Sequence, residues 1–204
     1  IIGEPKHLNA ISASAIDVDA DITSLIFSGL FTSDGLETKL DLAEKYEWSQ
    51  DGQTLTVTVR KDARFHDGQR VTAEDVQFTV EAIQDPLRNS PLTPLFRGIK
   101  TAIVDESTVQ FSIDHPDSRL LTALAVGIMP AHLWRSIPAQ NARLADLNIK
   151  PIGSGPYHFK EFTRDSKGAL RTFTLERADD YYGLKPYIKT LVFQFYPDRS
   201  QAEE

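Results

Sequence analysis

The chain has 204 residues, 41% of them hydrophobic and 25% charged, a formal net charge of −7 and no cysteine. That length allows one large domain or two small ones, with the composition of an ordinary globular protein. The acidic balance argues against nucleic acid as a partner, and the lack of Cys removes disulfides, thiolate nucleophiles and thiolate metal sites. No run approaches the roughly 20 apolar residues of a membrane span.

Ile1-Ile2-Gly3 reads as the end of a strand already under way. The sequence is therefore expected to start inside a mature protein, past any leader or lipid-attachment Cys. Residues 12–21 are small and polar, a loop with helix-start signals at Asp19 and Asp21. Ile22, Leu25, Ile26, Gly29 and Leu30 then recur at helical spacing, one apolar helix face that Phe31-Thr32-Ser33-Asp34-Gly35 is expected to break.

Residues 42–83 carry the most local information. Leu55, Val57 and Val59 alternate with Thr56, Thr58 and Arg60, the period of a half-buried strand. Ser49-Gln50-Asp51-Gly52 before it and Asp67-Gly68 after it are turn chemistry, because glycine takes the positive φ a tight turn needs. Thr72-Ala73-Glu74-Asp75 resembles a capping box with Asp in place of Glu or Gln. Val76, Val80 and Ile83 follow at helical spacing, and Asp85-Pro86 ends that helix, since the residue before proline avoids the α region.

Further on, residues 86–98 hold three prolines and read as a loop or broken helix. Val104, Asp105-Glu106-Ser107, Val109, Phe111 and Ile113 read as a hairpin that His115-Pro116 ends. A buried helix is expected over 120–126, and strands over 157–162, 172–177 and 191–196. Ile188 is expected to join the last of these.

The chemistry-bearing residues form no catalytic set. The five histidines (His7, His66, His115, His132, His158) are scattered and none pairs at i, i+4, so each is expected to be structural or solvated. His66 is expected to bond within its own loop. Glu74-Asp75 fits helix capping and Asp179-Asp180 a solvated turn. Gly153-Ser154-Gly155 lacks the Lys-Ser/Thr of a phosphate loop, and Ser154 is not in a hydrolase elbow. No metal and no cofactor is expected, and the chain is not read as an enzyme.

The order of the parts is more informative than any one of them. Leu42-Ala43, Trp48, Asp51-Gly52, Arg60, Phe65-His66-Asp67-Gly68, Thr72-Ala73 and Asp75-Val76 resemble the central pattern of the family 5 bacterial extracellular solute-binding proteins, the peptide- and nickel-binding receptors of ABC importers. Leu55 and Val57 stand where that pattern commonly has Tyr and Phe. Gly3-Glu4-Pro5 with Leu8-Asn9 is similar to its opening, with Ala10 for Pro. Phe27-Ser28-Gly29-Leu30 is similar to the end of its first helix, and Met129-Pro130-Ala131-His132 to its turn into a later one. Pro151-Ile152-Gly153-Ser154-Gly155-Pro156-Tyr157 resembles its glycine-proline loop, with Ser154 for Thr. Tyr181-Tyr182-Gly183 with Lys185-Pro186 resembles a later motif in which Tyr182 takes a Trp position. The motifs occur in family order over nearly the whole chain.

The resemblance implies an α/β fold with a mixed sheet, one lobe of a type II periplasmic-binding-protein-like receptor, carrying an inserted small subdomain and lacking the second lobe. By that pattern residues 1–33 and 150–204 form the larger sheet subdomain, and 34–149 the insert. The second lobe and the return strand of the larger sheet would follow Tyr196 in a complete protein. The implied function is capture of an oligopeptide or similar small solute, periplasmic or extracellular and lipid-anchored, for delivery to an ABC-importer permease by a monomeric receptor. Ligand contacts would fall on Ser14, Ala15, Ile16 and Asp17, with Ser154 and Gly155 near the same cleft; the alternative for these positions is an ordinary surface loop. A nickel, haem or oligosaccharide receptor is the alternative within the family. A peptide-acting hydrolase or a non-transport sensor on the same scaffold is the alternative from another class.

Overall fold

The computed structural model describes residues 1, 5, 7–12, 18–33 and 37–196. Helix α1 (Val18–Ile26) is followed by β1 (Phe31–Ser33), β2 (Thr38–Leu40), β3 (Ala43–Trp48) and β4 (Thr54–Val59). Next come α2 (Ala73–Gln84), the single turn α3 (Thr93–Phe96), β5 (Lys100–Asp105), β6 (Thr108–Ser112), α4 (Arg119–Ala123) and α5 (Ala131–Trp134). The strands β7 (Tyr157–Arg164), β8 (Leu170–Arg177) and β9 (Thr190–Gln194) close the described chain. The named strands pair antiparallel, in sheets of order β1-β2, β3-β4-β6-β5 and β7-β8-β9.

The alternation in β4 does what its period dictates. Leu55, Val57 and Val59 are fully buried, and Leu55 and Val57 sit opposite Phe111 and Val109 of β6. Burying each such side chain stabilises by about 1.5–3 kcal/mol. The turn into β4 is set by Gly52 at φ +68° and by the Asp51 carboxylate, which accepts from the Ser49 hydroxyl (2.5 Å) and the Gln53 N–H (3.0 Å). Helix α2 lays Val76, Val80 and Ile83 on the same core, which also takes in Phe96, Phe111 and Trp134.

The start of α2 does more than begin a helix. Thr72 and Asp75 form the reciprocal capping box, with Asp75 Oδ2 accepting from the Thr72 N–H (2.9 Å) and hydroxyl (2.8 Å). The other oxygen of Asp75 accepts from the Ala131 N–H at 2.8 Å, and the Thr79 hydroxyl accepts from the Met129 N–H at 2.9 Å. Two buried polar side chains of α2 therefore fix the Met129-Pro130 turn that starts α5. Glu74 forms an ion pair with Arg135.

Three expectations are corrected. Helix α1 ends at Ile26, and Gly29-Leu30 do not extend it. Gly29 instead bridges to Gly127, Leu30 accepts from the N–H groups of Asp41 and Ala43, and Phe31 opens a strand rather than breaking a helix. A short apolar run reads alike as helix or buried extended chain. The deciding contact is long-range: a Cβ on Gly29 would lie 2.5 Å from the Ala125 carbonyl oxygen. The helix expected over 120–126 is only the five-residue α4, cut short because the Leu124 carbonyl turns to accept from Leu30 and Phe31. Ile188 lies outside β9 and is exposed.

A second core is separate from the first. Leu8, Ile22, Ile26 and Phe27 pack with Tyr157, Leu170, Phe173, Leu175 and Phe195, so α1 lies on the β7-β8-β9 sheet. No helix among the described residues is long and apolar enough to cross a membrane.

Candidate functional site

The 153–155 loop is built by close approach. A Cβ on Gly153 would lie 2.1 Å from the Ile26 carbonyl oxygen, and one on Gly155 2.6 Å from that of Leu25. Only glycine lets this backbone lie flat on the last turn of α1. The Gly155 N–H then donates to the Ile26 carbonyl (2.8 Å), satisfying one of the carbonyls left open at the end of the helix. Ser154 is buried between them at 1% exposure, and its hydroxyl has no partner among the described residues.

The expectation that His66 bonds within its own loop is corrected: it reaches across to the 153–155 loop. Its backbone N–H donates to the Gly153 carbonyl (2.8 Å), its Nδ1 accepts from the Gly153 N–H (3.3 Å), and its Nε2 lies 3.0 Å from the Gly155 carbonyl. The acceptor role at Nδ1 assigns the proton to Nε2, which donates to Gly155. Burial pushes the imidazole down to about 4, against the Gly155 hydrogen bond, which favours the charged form. His66 is therefore neutral at neutral pH. Its ring lies 5.9 Å from that of His158, two residues that looked unrelated in the sequence. His132 and Asp67 also meet, at 2.6 Å. Among the described residues no three His, Asp or Glu side chains converge as a metal shell.

Two cavities flank this junction. One, of about 570 Å³, is lined by His66, Ser154, Gly155, His158, Tyr181 and Lys189, among others. The other, of about 600 Å³, runs along α1 past Ala20, Thr23, Ser28, Asp41, Pro156 and Tyr181. Both have the size of small-molecule sites, and Tyr181 belongs to both.

A polar cluster borders the second cavity. The Tyr182 hydroxyl donates to Asp41 Oδ1 at 2.5 Å, and the Arg60 guanidinium sits 4.4 Å over the Tyr182 ring. Burial raises the Asp41 carboxyl, while the Tyr182 and Ser28 hydroxyls and the Arg60 charge pull it back. Sequence reasoning missed Asp41; its one signal was the hydroxyl of Tyr182 at a position where the family pattern has Trp.

Of the residues expected to touch ligand, Ser14, Ala15, Ile16 and Asp17 lie outside the described residues. Ser154 and Gly155 adjoin the C-terminal end of α1. The other end of α1, which follows Asp17 in sequence, is about 12 Å away at 1.5 Å per residue. The second cavity runs along the helix between these two ends.

This arrangement of core, helix and sheets is that of a lobe of the type II periplasmic-binding-protein class. Residues 37–204 match the model of the bacterial extracellular solute-binding proteins, family 5 (middle region), and the chain belongs to that family. It is 30% identical to the oligopeptide-binding protein AppA of Bacillus subtilis over 214 residues, covering 98% of this chain and 37% of that protein. It is 32% identical to the dipeptide-binding protein of Escherichia coli over 183 residues, 78% of this chain and 32% of that protein. The structure of B. subtilis AppA in complex with a nonapeptide superposes with a TM-score of 0.89 at 30% identity, covering all of this chain and 40% of that one. NikZ of Campylobacter jejuni in complex with Ni(L-His) superposes with a TM-score of 0.86 at 28% identity, covering all of this chain and 39% of that one. The chain thus spans well under half the length of these relatives, in a family of solute-binding receptors.

Proposed function

We propose that the protein is a non-enzymatic receptor that captures peptides outside the cytoplasm and delivers them to an ABC-importer permease. The observation that carries this reading is the superposition of the whole of this chain on 40% of an oligopeptide-binding protein holding a nonapeptide. In this reading the receptor acts as a monomer, periplasmic or lipid-anchored at the outer side of the cell membrane. Its ligand wall includes Ser14, Ala15, Ile16 and Asp17, which precede α1 in sequence, and Ser154 and Gly155, which adjoin its C-terminal end. An extended peptide laid along such a wall pairs with backbone groups, which gives affinity without reading side chains.

The reading also divides the chain. Residues 1–33 and 150–204 would form a larger sheet subdomain and 34–149 an inserted one. The two separate cores support this division, because the second core draws only on the first of these sets. Most of the first core lies within the insert, although Ile11, Leu30 and Phe31 also join it.

A nickel receptor is the second reading, favoured by the superposition on NikZ. Calorimetry and thermal shift of the whole receptor against a peptide pool, nickel, haem and oligosaccharides separate the readings. Stabilisation by peptides alone supports the proposal. A response to nickel alone replaces peptide by metal as cargo, silence throughout points to a sensor, and turnover of any ligand overturns the receptor reading.

A further inference from the structure

His66 joins two stretches of chain separated by 87 or more positions, using its backbone N–H and both ring nitrogens. The loop it holds has little freedom to adjust, because Gly153 and Gly155 are pressed on the carbonyls of Leu25 and Ile26. We propose that His66 is a positioning residue that keeps the 153–155 loop seated on α1, and that protonation of its ring unseats the loop and weakens ligand capture in acid.

The argument is one of donors and acceptors. Neutral His66 offers one acceptor, taken by the Gly153 N–H, and one donor, taken by the Gly155 carbonyl. A second proton must go to Nδ1, where the Gly153 N–H already points. Two donors then face each other, and an imidazolium cannot keep both ring contacts. The Gly153 N–H would have to turn away, and the loop would leave its seat on the helix.

The charged groups around the ring are mixed. His158 repels an imidazolium, and Asp67 attracts one while also holding His132. Lys150 shares a smaller cavity with His66, and Arg64, Glu176, Arg177, Asp179, Asp180 and Lys189 line the 570 Å³ cavity that His66 also borders. Three of these six carry positive charge and three negative, so the direct ring contacts decide the outcome. The ring's depressed pKa, at about 4, places the transition near pH 4.

The link to ligand rests on the reading of Ser154 and Gly155 as part of the ligand wall, so the test has two arms. In the first, selective ¹⁵N-histidine NMR of the whole receptor follows the His66 ring from pH 7.5 to 3.5. Hydrogen exchange of the 153–155 amides, corrected for intrinsic rate, is measured alongside. The expected result is an Nε2–H tautomer at neutral pH and at least a tenfold loss of amide protection that tracks the ring titration. In His66→Gln, which keeps a neutral donor at the Nε2 position, protection should not vary with pH. An Nδ1–H tautomer at neutral pH, or protection that is unchanged as the ring titrates, overturns the proposal.

In the second arm, a nonapeptide is titrated at each pH. Its affinity should fall with protection in the wild type and stay flat in His66→Gln. Flat affinity in the wild type while the loop opens overturns the coupling to ligand. If the nonapeptide does not bind even at pH 7.5, the peptide reading falls, and the first arm alone decides the role of His66.

Discussion

The hydroxyl of Tyr182 and the carboxylate of Asp41 meet at 2.5 Å although 141 positions separate them. The bond ties the Tyr181-Tyr182 turn to the chain between β2 and β3, and Arg60 covers its aromatic side. Tyr182→Phe removes the donor and leaves a half-buried carboxylate that burial already disfavours. Losing one such bond costs about 1–2 kcal/mol. Urea unfolding should show a lower midpoint with an unchanged slope, and an unchanged midpoint would mean that solvent replaces the bond.

Gly153→Ala should be far more damaging than Gly168→Ala. The first puts a Cβ 2.1 Å from a backbone carbonyl oxygen, and neither partner is a flexible side chain. The second meets nothing within 4 Å, and its cost is the left-handed φ of +86°, about 1–2 kcal/mol. Differential scanning calorimetry of the two variants checks the order. A smaller loss for Gly153→Ala would mean that the loop is not clamped to α1.

Asp75→Ala removes the acceptor of three hydrogen bonds and strands the N–H of Ala131 in a buried site. The expected loss is about 3 kcal/mol, the sum of a lost cap and an unsatisfied buried donor. Glu74→Ala, one residue away, should cost less than about 1 kcal/mol because its partner Arg135 is exposed. Equilibrium denaturation of both variants gives the comparison. Equal losses would show that the residue acts only through general helix charge.

The neutral buried state of His66 sets a pH window. Its pKa is about 4 in the fold against 6.5 in the unfolded chain, so the unfolded state binds more protons between those values. Stability from this group is complete above pH 6.5 and falls as pH drops towards 4. The full shift corresponds to about 3 kcal/mol; the ring edge is partly open to solvent, and about 2 kcal/mol is the expected loss. Denaturation midpoints of wild type and His66→Gln at pH 7 and pH 4.5 measure it. The variant should lose less on acidification, and parallel losses would assign the acid sensitivity to other groups.

What the sequence disclosed depended on how local each cause was. The strand at Leu55, Val57 and Val59 and the cap at Thr72 and Asp75 are written in neighbouring residues, and both stand as read. The end of α1 is set by the Gly29–Gly127 bridge, and nothing near Gly29 in sequence announces it. The same holds for the site. The motif around Ser154 was visible, but its clamp to Ile26 and its link to His66 were not. Asp41 itself carried no signal; the one pointer was the Tyr182 hydroxyl at a position where the family pattern has Trp.

The second core has a consequence for how the chain is made. Ile22, Ile26 and Phe27 leave the ribosome well before their partner strands, which begin at Tyr157, 130 positions after Phe27. At roughly 5–20 residues per second, that is a wait of about 6–26 seconds. During it the apolar side of α1 is without its partner sheet, while the core around Val57, Val76 and Trp134 can already assemble. Nascent chains should therefore bind chaperones through this early segment and release them once β7 and β8 emerge.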